Sequence, residues 1–244
     1  MYTLAERVEA MTAIELDIVE GCNYACPACS RCCVVAPSSG IMGTEEVQRF
    51  VDDSLRMKWK WRKIGVLGGE PTMHPDLSGV LAALGQYHEA YPECVVHMIT
   101  NGGPSYQAVR RTFPAWLKVK DNSDRKKTPG CKHHAFYVAP CDVGAWDESR
   151  PTPCASPMHC GIGLTRYGYM PCVLAGGLTR VFGFWRGIER LEDVTFDALA
   201  ARMPELCRVC GWYLVGRGEI NRYPVNTVTQ TWRRALEAYN DRDK

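Results

Sequence analysis

Apolar residues alternate with polar ones over "AIELDIV" (13–19), the period of a β-strand, and the pattern runs directly into a cysteine-rich loop. Thr44, followed by Glu45 and Glu46, reads as an N-cap with acidic first-turn residues and predicts a helix to about Met57. "KIGVLGG" (63–69) is a second strand, "LSGVLAALGQYHEA" (77–90) a second helix and "CVVHMIT" (94–100) a third strand. A short helix near 104–113 leads to a fourth strand, "AWLKVK" (115–120), and "HAFYVAP" (134–140) is a fifth. The polar, turn-rich "DNSDRKKTPGCKH" between those two reads as a loop. Strands and helices alternating in this order predict a parallel α/β domain.

From Cys141 onward the texture changes. Pro151, Pro153, Pro157 and many glycines replace the alternation, and "GLTRYGYMPC" (163–172) predicts a hairpin turning at Tyr167-Gly168. A short helical segment precedes "CRVC" (207–210), and "VTQTWRRALEAYN" (228–240) is a C-terminal helix. The expected boundary falls near 141–150, giving a core over 1–145 and an appendage over 146–244 that is too small to build an adequate core without a staple.

Composition narrows the classes. A chain of 244 residues, 46% hydrophobic and 23% charged, is ordinarily globular and long enough to bury a sizeable core. No run approaches the apolar length of a membrane span, and "MYTLAERVEAMTA" lacks the apolar centre of a signal peptide, so a soluble cytoplasmic protein is expected. A net charge of +2 provides no field that argues for nucleic acid. "RMKWKWRK" (56–63) and "RKK" (125–127) do interleave base-stacking and phosphate-binding residue types. The near-neutral total favours a helix end whose aromatics enter the core. Thirteen cysteines, an odd count with no export signal, point instead to reduced thiolates bound to metal.

The densest chemistry lies in "EGCNYACPACSRCCVV" (20–35), where Cys22, Cys26 and Cys29 form C-x3-C-x2-C. Spacings this short let one loop wrap three thiolates around one iron–sulfur cubane, leaving a fourth iron open for a substrate or cofactor. Cys26, Cys29 and Cys32 also form C-x2-C-x2-C, the opening of a ferredoxin motif, but the following x3-C-P is missing; a zinc site is a further alternative. Neither rival explains "GGEP" (68–71) at the end of the second strand and "ITNGG" (99–103) at the end of the third. Strand C-termini are where barrel enzymes place their sites.

With these three stretches in this order, the sequence resembles the radical S-adenosylmethionine (SAM) superfamily. The resemblance implies a partial (β/α)6, TIM-like barrel, a [4Fe–4S] cluster on Cys22, Cys26 and Cys29, and SAM chelated at the open iron. It also implies that the backbone at Gly68 and Gly69, together with Glu70, holds the SAM amino group, and that Thr100 and Asn101 lie near its ribose or carboxylate. An electron, from a donor such as flavodoxin or ferredoxin, then cleaves SAM to a 5′-deoxyadenosyl radical that abstracts a substrate hydrogen. The family usually has an aromatic residue before the third cysteine, near the adenine; here Ala28 stands there and Tyr24 is the candidate replacement. Cys32 and Cys33 are then packing residues outside the ligand set, and Cys94 a buried strand thiol.

A second set comprises Cys154, Cys160, Cys172, Cys207 and Cys210. Cys160, Cys172 and "CRVC" give C-x11-C-x34-C-x2-C, which resembles the twitch domain, a shortened relative of the SPASM domain. The resemblance implies an auxiliary [4Fe–4S] cluster on Cys160, Cys172, Cys207 and Cys210, with Cys154 as the substitute for Cys160. Four protein ligands leave no open iron, which suits accepting or relaying an electron. A zinc knot on the same sulfurs stays open.

A radical SAM core with one such cluster is most similar to 2-deoxy-scyllo-inosamine dehydrogenase chemistry, in which a carbinol of a small sugar- or cyclitol-like molecule becomes a ketone. A radical epimerase is an alternative, with Cys131 or Cys141 as hydrogen donor. A peptide-modifying (RiPP) enzyme is another, against which stand the dozen or so residues ahead of the first strand. A nucleic-acid-modifying enzyme and a plain electron-transfer protein complete the set. Candidate substrate contacts are Lys118, Lys120, His133, His134, Asp142, Arg166 and Tyr169, with Glu219 and Arg222 weaker. The base for the hydroxyl proton is expected among them, with none singled out.

Overall fold

The computed structural model describes residues 3–26, 29–123, 140–144, 146, 154, 156–184, 186–216 and 227–242. A helix, α1 (Leu4–Met11), opens the chain, capped by reciprocal hydrogen bonds between Thr3 and Glu6. It is followed by β1 (Ala13–Asp17), α2 (Thr44–Arg56), β2 (Lys63–Leu67), α3 (Leu77–Ala90), β3 (Val95–Thr100), α4 (Pro104–Val109) and β4 (Lys118–Asp121). The strand–helix alternation read from the sequence is therefore present through β4. Thr44 is the first residue of α2 and not its cap: the Glu46 carboxylate accepts from the Gly43 N–H at 2.7 Å, and the Thr44 hydroxyl donates to Asp76.

Downstream come α5 (Ser156–Cys160), β5 (Ile162–Thr165), β6 (Gly168–Met170), α6 (Leu174–Phe182), α7 (Phe196–Ala200), α8 (Met203–Cys207), α9 (Trp212–Gly216) and α10 (Gln230–Arg242). The expected strand over 134–140 falls, apart from Pro140, outside the described residues. The predicted hairpin exists, but it turns at Arg166 and Tyr167 and leaves Gly168 on β6.

Among the described residues the strands form one six-stranded sheet in the order β4-β3-β2-β1-β5-β6, parallel except for the final antiparallel pair. This mixed α/β sheet matches a partial TIM-like barrel. The hairpin is continuous with the sheet: Ile14 pairs with Ile162, and Leu16 with Leu164. Gly161 makes this docking possible, since at φ +87° any Cβ there would lie 2.0 Å from the Ala13 carbonyl oxygen.

The register sorts residues onto two faces because strand side chains alternate. Ile14, Leu16, Ile64, Val66, Val96, Met98, Ile162 and Leu164 share one face, and these are core residues packed with Phe50, Leu84 and Tyr87 from α2 and α3. Glu15, Asp17, Gly65, Leu67, His97, Ile99 and Thr165 share the other. A sheet that puts acids and a histidine on one face has reserved that face for polar chemistry.

The aromatic residues of "RMKWKWRK" are packed inside. Trp61 is 1% exposed and donates its indole N–H to Ser54, while Trp59 stacks on it at 5.1 Å. A second core joins Cys32 and Ala36 of the cysteine loop to Leu178, Leu206, Val209, Trp232 and Tyr239. The C-terminal elements thus form the backing of that loop, with the Tyr239 hydroxyl donating to the Pro37 carbonyl at 2.7 Å.

Candidate active site

Strands β1, β2 and β3 end side by side, so the three loops that follow them meet. The turn after β2 is built on glycine: Gly68 has φ +152°, and a Cβ at Gly69 would lie 2.1 Å from the Gly21 carbonyl oxygen. The Gly69 N–H donates to Val19 and the Glu70 N–H to Gly21, which staples this turn to the start of the cysteine loop.

Glu70 is completely buried, and its carboxylate organises the next loop. It accepts from the Thr72 N–H and hydroxyl, from the Thr100 hydroxyl at 2.7 Å and from the Asn101 N–H at 2.7 Å. Asn101 then projects toward the cysteines, donating to Asn23 at 2.7 Å and lying 3.8 Å from the Cys22 sulfur. Glu70 is thereby engaged with its own protein, and it is the backbone of Gly68 and Gly69 that faces the cavity.

That cavity has a volume of about 200 Å³. Cys22, Cys26 and Cys29 line it on one side, Gly68, Gly69, Thr100 and Asn101 on the other, and Tyr24 and Arg31 complete the wall. The half-exposed Tyr24 ring lies against Gly103. The Cys33 thiol hydrogen-bonds to both neighbouring sulfurs; chiefly for that reason Cys22 is lowered to about 7 and Cys29 to about 5, the latter aided by Arg31. Cys33 itself is pushed upward by the same two sulfurs, and burial pushes Cys32 up to about 12. Both shifts favour the thiolate, the form that ligates metal.

Among the described residues, no three His, Cys, Asp or Glu side chains converge tightly enough to hold a single metal ion. A tetrahedral zinc with Zn–S near 2.3 Å would draw its sulfurs to about 3.8 Å of one another. Thiols outside any disulfide, set around a cavity opposite a glycine backbone that admits close approach, suit a larger soft group such as a cubane.

The second cysteine set is also gathered, with one exchange of members. Cys154, Cys172, Cys207 and Cys210 line a small apolar cavity of about 30 Å³ with Leu174, Leu206 and Tyr213. Burial raises Cys172 to about 12 and Cys207 and Cys210 well above the ordinary thiol value, so without metal these thiols stay protonated. Cys160, the last residue of α5, does not line that cavity; it interacts with Glu15 of β1, and burial raises it to about 11.

Beside the first cavity lies a buried charged cluster that the sequence reading passed over. Asp17 and Leu67 are register partners on one sheet face, and Leu67 lines the cavity. Burial raises Asp17 to about 6 in spite of Arg31 and Arg180 nearby. Arg31 pairs with Glu15 at 3.6 Å, and Arg180 with Glu20 at 3.2 Å. Arg180 also donates to the Arg31 carbonyl at 2.5 Å, tying α6 to the cysteine loop. His97, on the same face, is lowered to about 4 by burial and by Lys63, and is therefore neutral. The available signal was the pair of acids at alternate positions of "AIELDIV", on a strand otherwise wholly apolar.

The remaining candidates among the described residues do not line the cysteine cavity, although Arg166 pairs with Glu20 of the buried cluster at 3.5 Å. Arg166 and Tyr169 line a different cavity, of about 180 Å³, with Arg49 and Asp53 of α2. Cys141 is exposed and bonded to Asp142 and Thr231, and Asp142 holds the start of α10. Lys118 and Lys120 are exposed on the sheet-edge strand β4. Cys131, His133, His134, Glu219 and Arg222 lie outside the described residues.

No protein-family model and no curated protein matches the sequence. A crystal structure of BtrN in complex with AdoMet and 2-DOIA matches with a TM-score of 0.50 at 15% identity, covering 90% of this chain and 96% of that one. At that identity the likeness is one of fold, and it extends over most of both chains.

Proposed function

We propose that this protein is a radical SAM enzyme that oxidises a carbinol of a sugar- or cyclitol-like small molecule. The observation that carries this reading is the single cavity walled by Cys22, Cys26 and Cys29 on one side and by Gly68, Gly69, Thr100 and Asn101 on the other. Cys22, Cys26 and Cys29 would hold a [4Fe–4S] cluster with SAM against it, supplying a 5′-deoxyadenosyl radical once an electron arrives from a donor such as flavodoxin or ferredoxin. The fold shared with BtrN, which was crystallised with AdoMet, supports the assignment.

The chain's own part is positioning. Gly68 and Gly69 let a bound group touch the backbone, and Glu70 fixes Thr100 and Asn101 without spending its carboxylate on the ligand. Tyr24 lines the cavity and offers it an aromatic ring. The C-terminal elements act as a twitch-like domain over 146–244 with an auxiliary [4Fe–4S] cluster. Its ligands are Cys154, Cys172, Cys207 and Cys210, the four thiols that share a cavity. A cluster held by these four thiols would supply a one-electron acceptor for the substrate radical, and the outcome would then be an oxidation.

The test is anaerobic reconstitution with SAM, reductant and candidate sugars and cyclitols in deuterated water. A ketone with matching 5′-deoxyadenosine and no solvent deuterium at the reacting carbon is the expected result. Deuterium at that carbon without net oxidation would replace this reading with an epimerase.

A further inference from the structure

The buried cluster beside the cysteine cavity holds more polar atoms than it satisfies. Asp17 Oδ1, Arg31 Nη1 and Arg180 Nε are buried without a hydrogen-bond partner, although Arg31 Nη2 pairs with Glu15 and the Arg180 Nη atoms reach Glu20 and the Arg31 carbonyl. Asp17 as a whole is only 8% exposed. Buried polar groups in folded proteins are nearly always paired, so several orphans in one cluster point to a ligand that completes them. The cluster is also reachable: Arg31 lines the cavity wall, and Leu67, which neighbours Asp17 across the β1–β2 ladder, lines it too.

The charges select the ligand. A second anion would meet Asp17, Glu15 and Glu20, and a cation would meet Arg31 and Arg180, so either is repelled by part of the cluster. A neutral hydroxyl both donates and accepts, and can satisfy Asp17 Oδ1 and Arg31 Nη1 together. We infer that Asp17 and Arg31 form the hydroxyl-binding point for a neutral polyol substrate, with Asp17 as the acceptor of the hydroxyl proton. This rests on the proposed carbinol oxidation. When the O–H bond breaks, its proton passes to Asp17 and its electron pair stays on the substrate oxygen, facing the Arg31 guanidinium. Deprotonation is coupled in this way to loss of the hydrogen atom from the adjacent carbon. Burial of Asp17 lifts its basicity toward neutrality, which suits that task.

The experiment measures binding of a panel of neutral polyols (myo-inositol, scyllo-inositol, glucose, glycerol) to the reconstituted, SAM-loaded protein by calorimetry, in parallel with SAM cleavage. The parent should bind at least one of them. Asp17→Asn and Arg31→Gln should each weaken that binding by about tenfold or more, the scale of a hydrogen bond to a charged group. Asp17→Asn should keep its iron and lose polyol-stimulated turnover; Asp17→Glu should recover part of it. Asp193→Asn, at an exposed carboxylate, is the control. No polyol binding by the parent, or undiminished binding by Asp17→Asn, overturns the inference. Asp17-dependent polyol binding in a parent that never cleaves SAM would instead leave the site standing and defeat the radical SAM reading.

Discussion

The Asn101 N–H donates to the Glu70 carboxylate at 2.7 Å, so the turn after β2 and the turn after β3 are one unit. Because the same carboxylate also restrains Thr72 and Thr100, the amide side chain beside Cys22 inherits its position from a residue that does not face the cavity.

Glu70→Ala should therefore act on stability and on cofactor binding together. It strands several buried donors at about 1–3 kcal/mol each, so a loss of about 3 kcal/mol or more is expected. Thermal unfolding should show a drop on the order of 6–12 °C for a chain of this size, and Glu70→Gln a smaller one. SAM affinity, measured by equilibrium binding to reconstituted protein, should fall with Ala, while iron on Cys22, Cys26 and Cys29 is retained.

Asp17 carries a cost that pH exposes. Its carboxyl is raised from 3.8 to about 6 by burial, so the unfolded chain releases this proton before the folded one does. Folding is thus disfavoured progressively as pH rises from about 4 to 6, and by about 3 kcal/mol above that range. Asp17→Asn should match the parent near pH 4 and exceed it in thermal stability above pH 6. Equal destabilisation at both pH values would mean that Asp17 is a structural ion-pair partner.

Cys154 and Cys160 are separable by iron counting. Cys154→Ala should lower iron from about eight to about four per chain, the content of one cubane, whereas Cys160→Ala should leave it unchanged. Loss of iron from Cys160→Ala alone would restore the spacing-based ligand set.

Trp232 couples the C-terminal helix to the cysteine loop. It is fully buried, donates to the Val209 carbonyl at 2.7 Å and meets Phe182 edge-on. Trp232→Ala should cost about 3–5 kcal/mol, and chemical denaturation should show it.

The parallel sheet was legible because its strands carry their own alternation, and the first site because its ligands crowd into one loop and two strand ends. What stayed hidden depended on long-range partners. Nothing within "GLTRYGYMPC" states that β5 will pair with β1, about 150 residues earlier. Cysteine spacing does not reveal that α5 turns Cys160 toward Glu15 and leaves Cys154 with the others. Asp17 and Arg31 lie 14 positions apart and are brought together only by the fold, so no local pattern singles them out.

The most direct measurement is 5′-deoxyadenosine formed by the anaerobically reconstituted, reduced protein given SAM, followed alongside the electron paramagnetic resonance signal of the reduced cluster. The account predicts deoxyadenosine from the parent, a signal that changes when SAM is added, and loss of both in Cys22→Ala, Cys26→Ala and Cys29→Ala. A reduced cluster whose signal ignores SAM, with no deoxyadenosine formed, would contradict it.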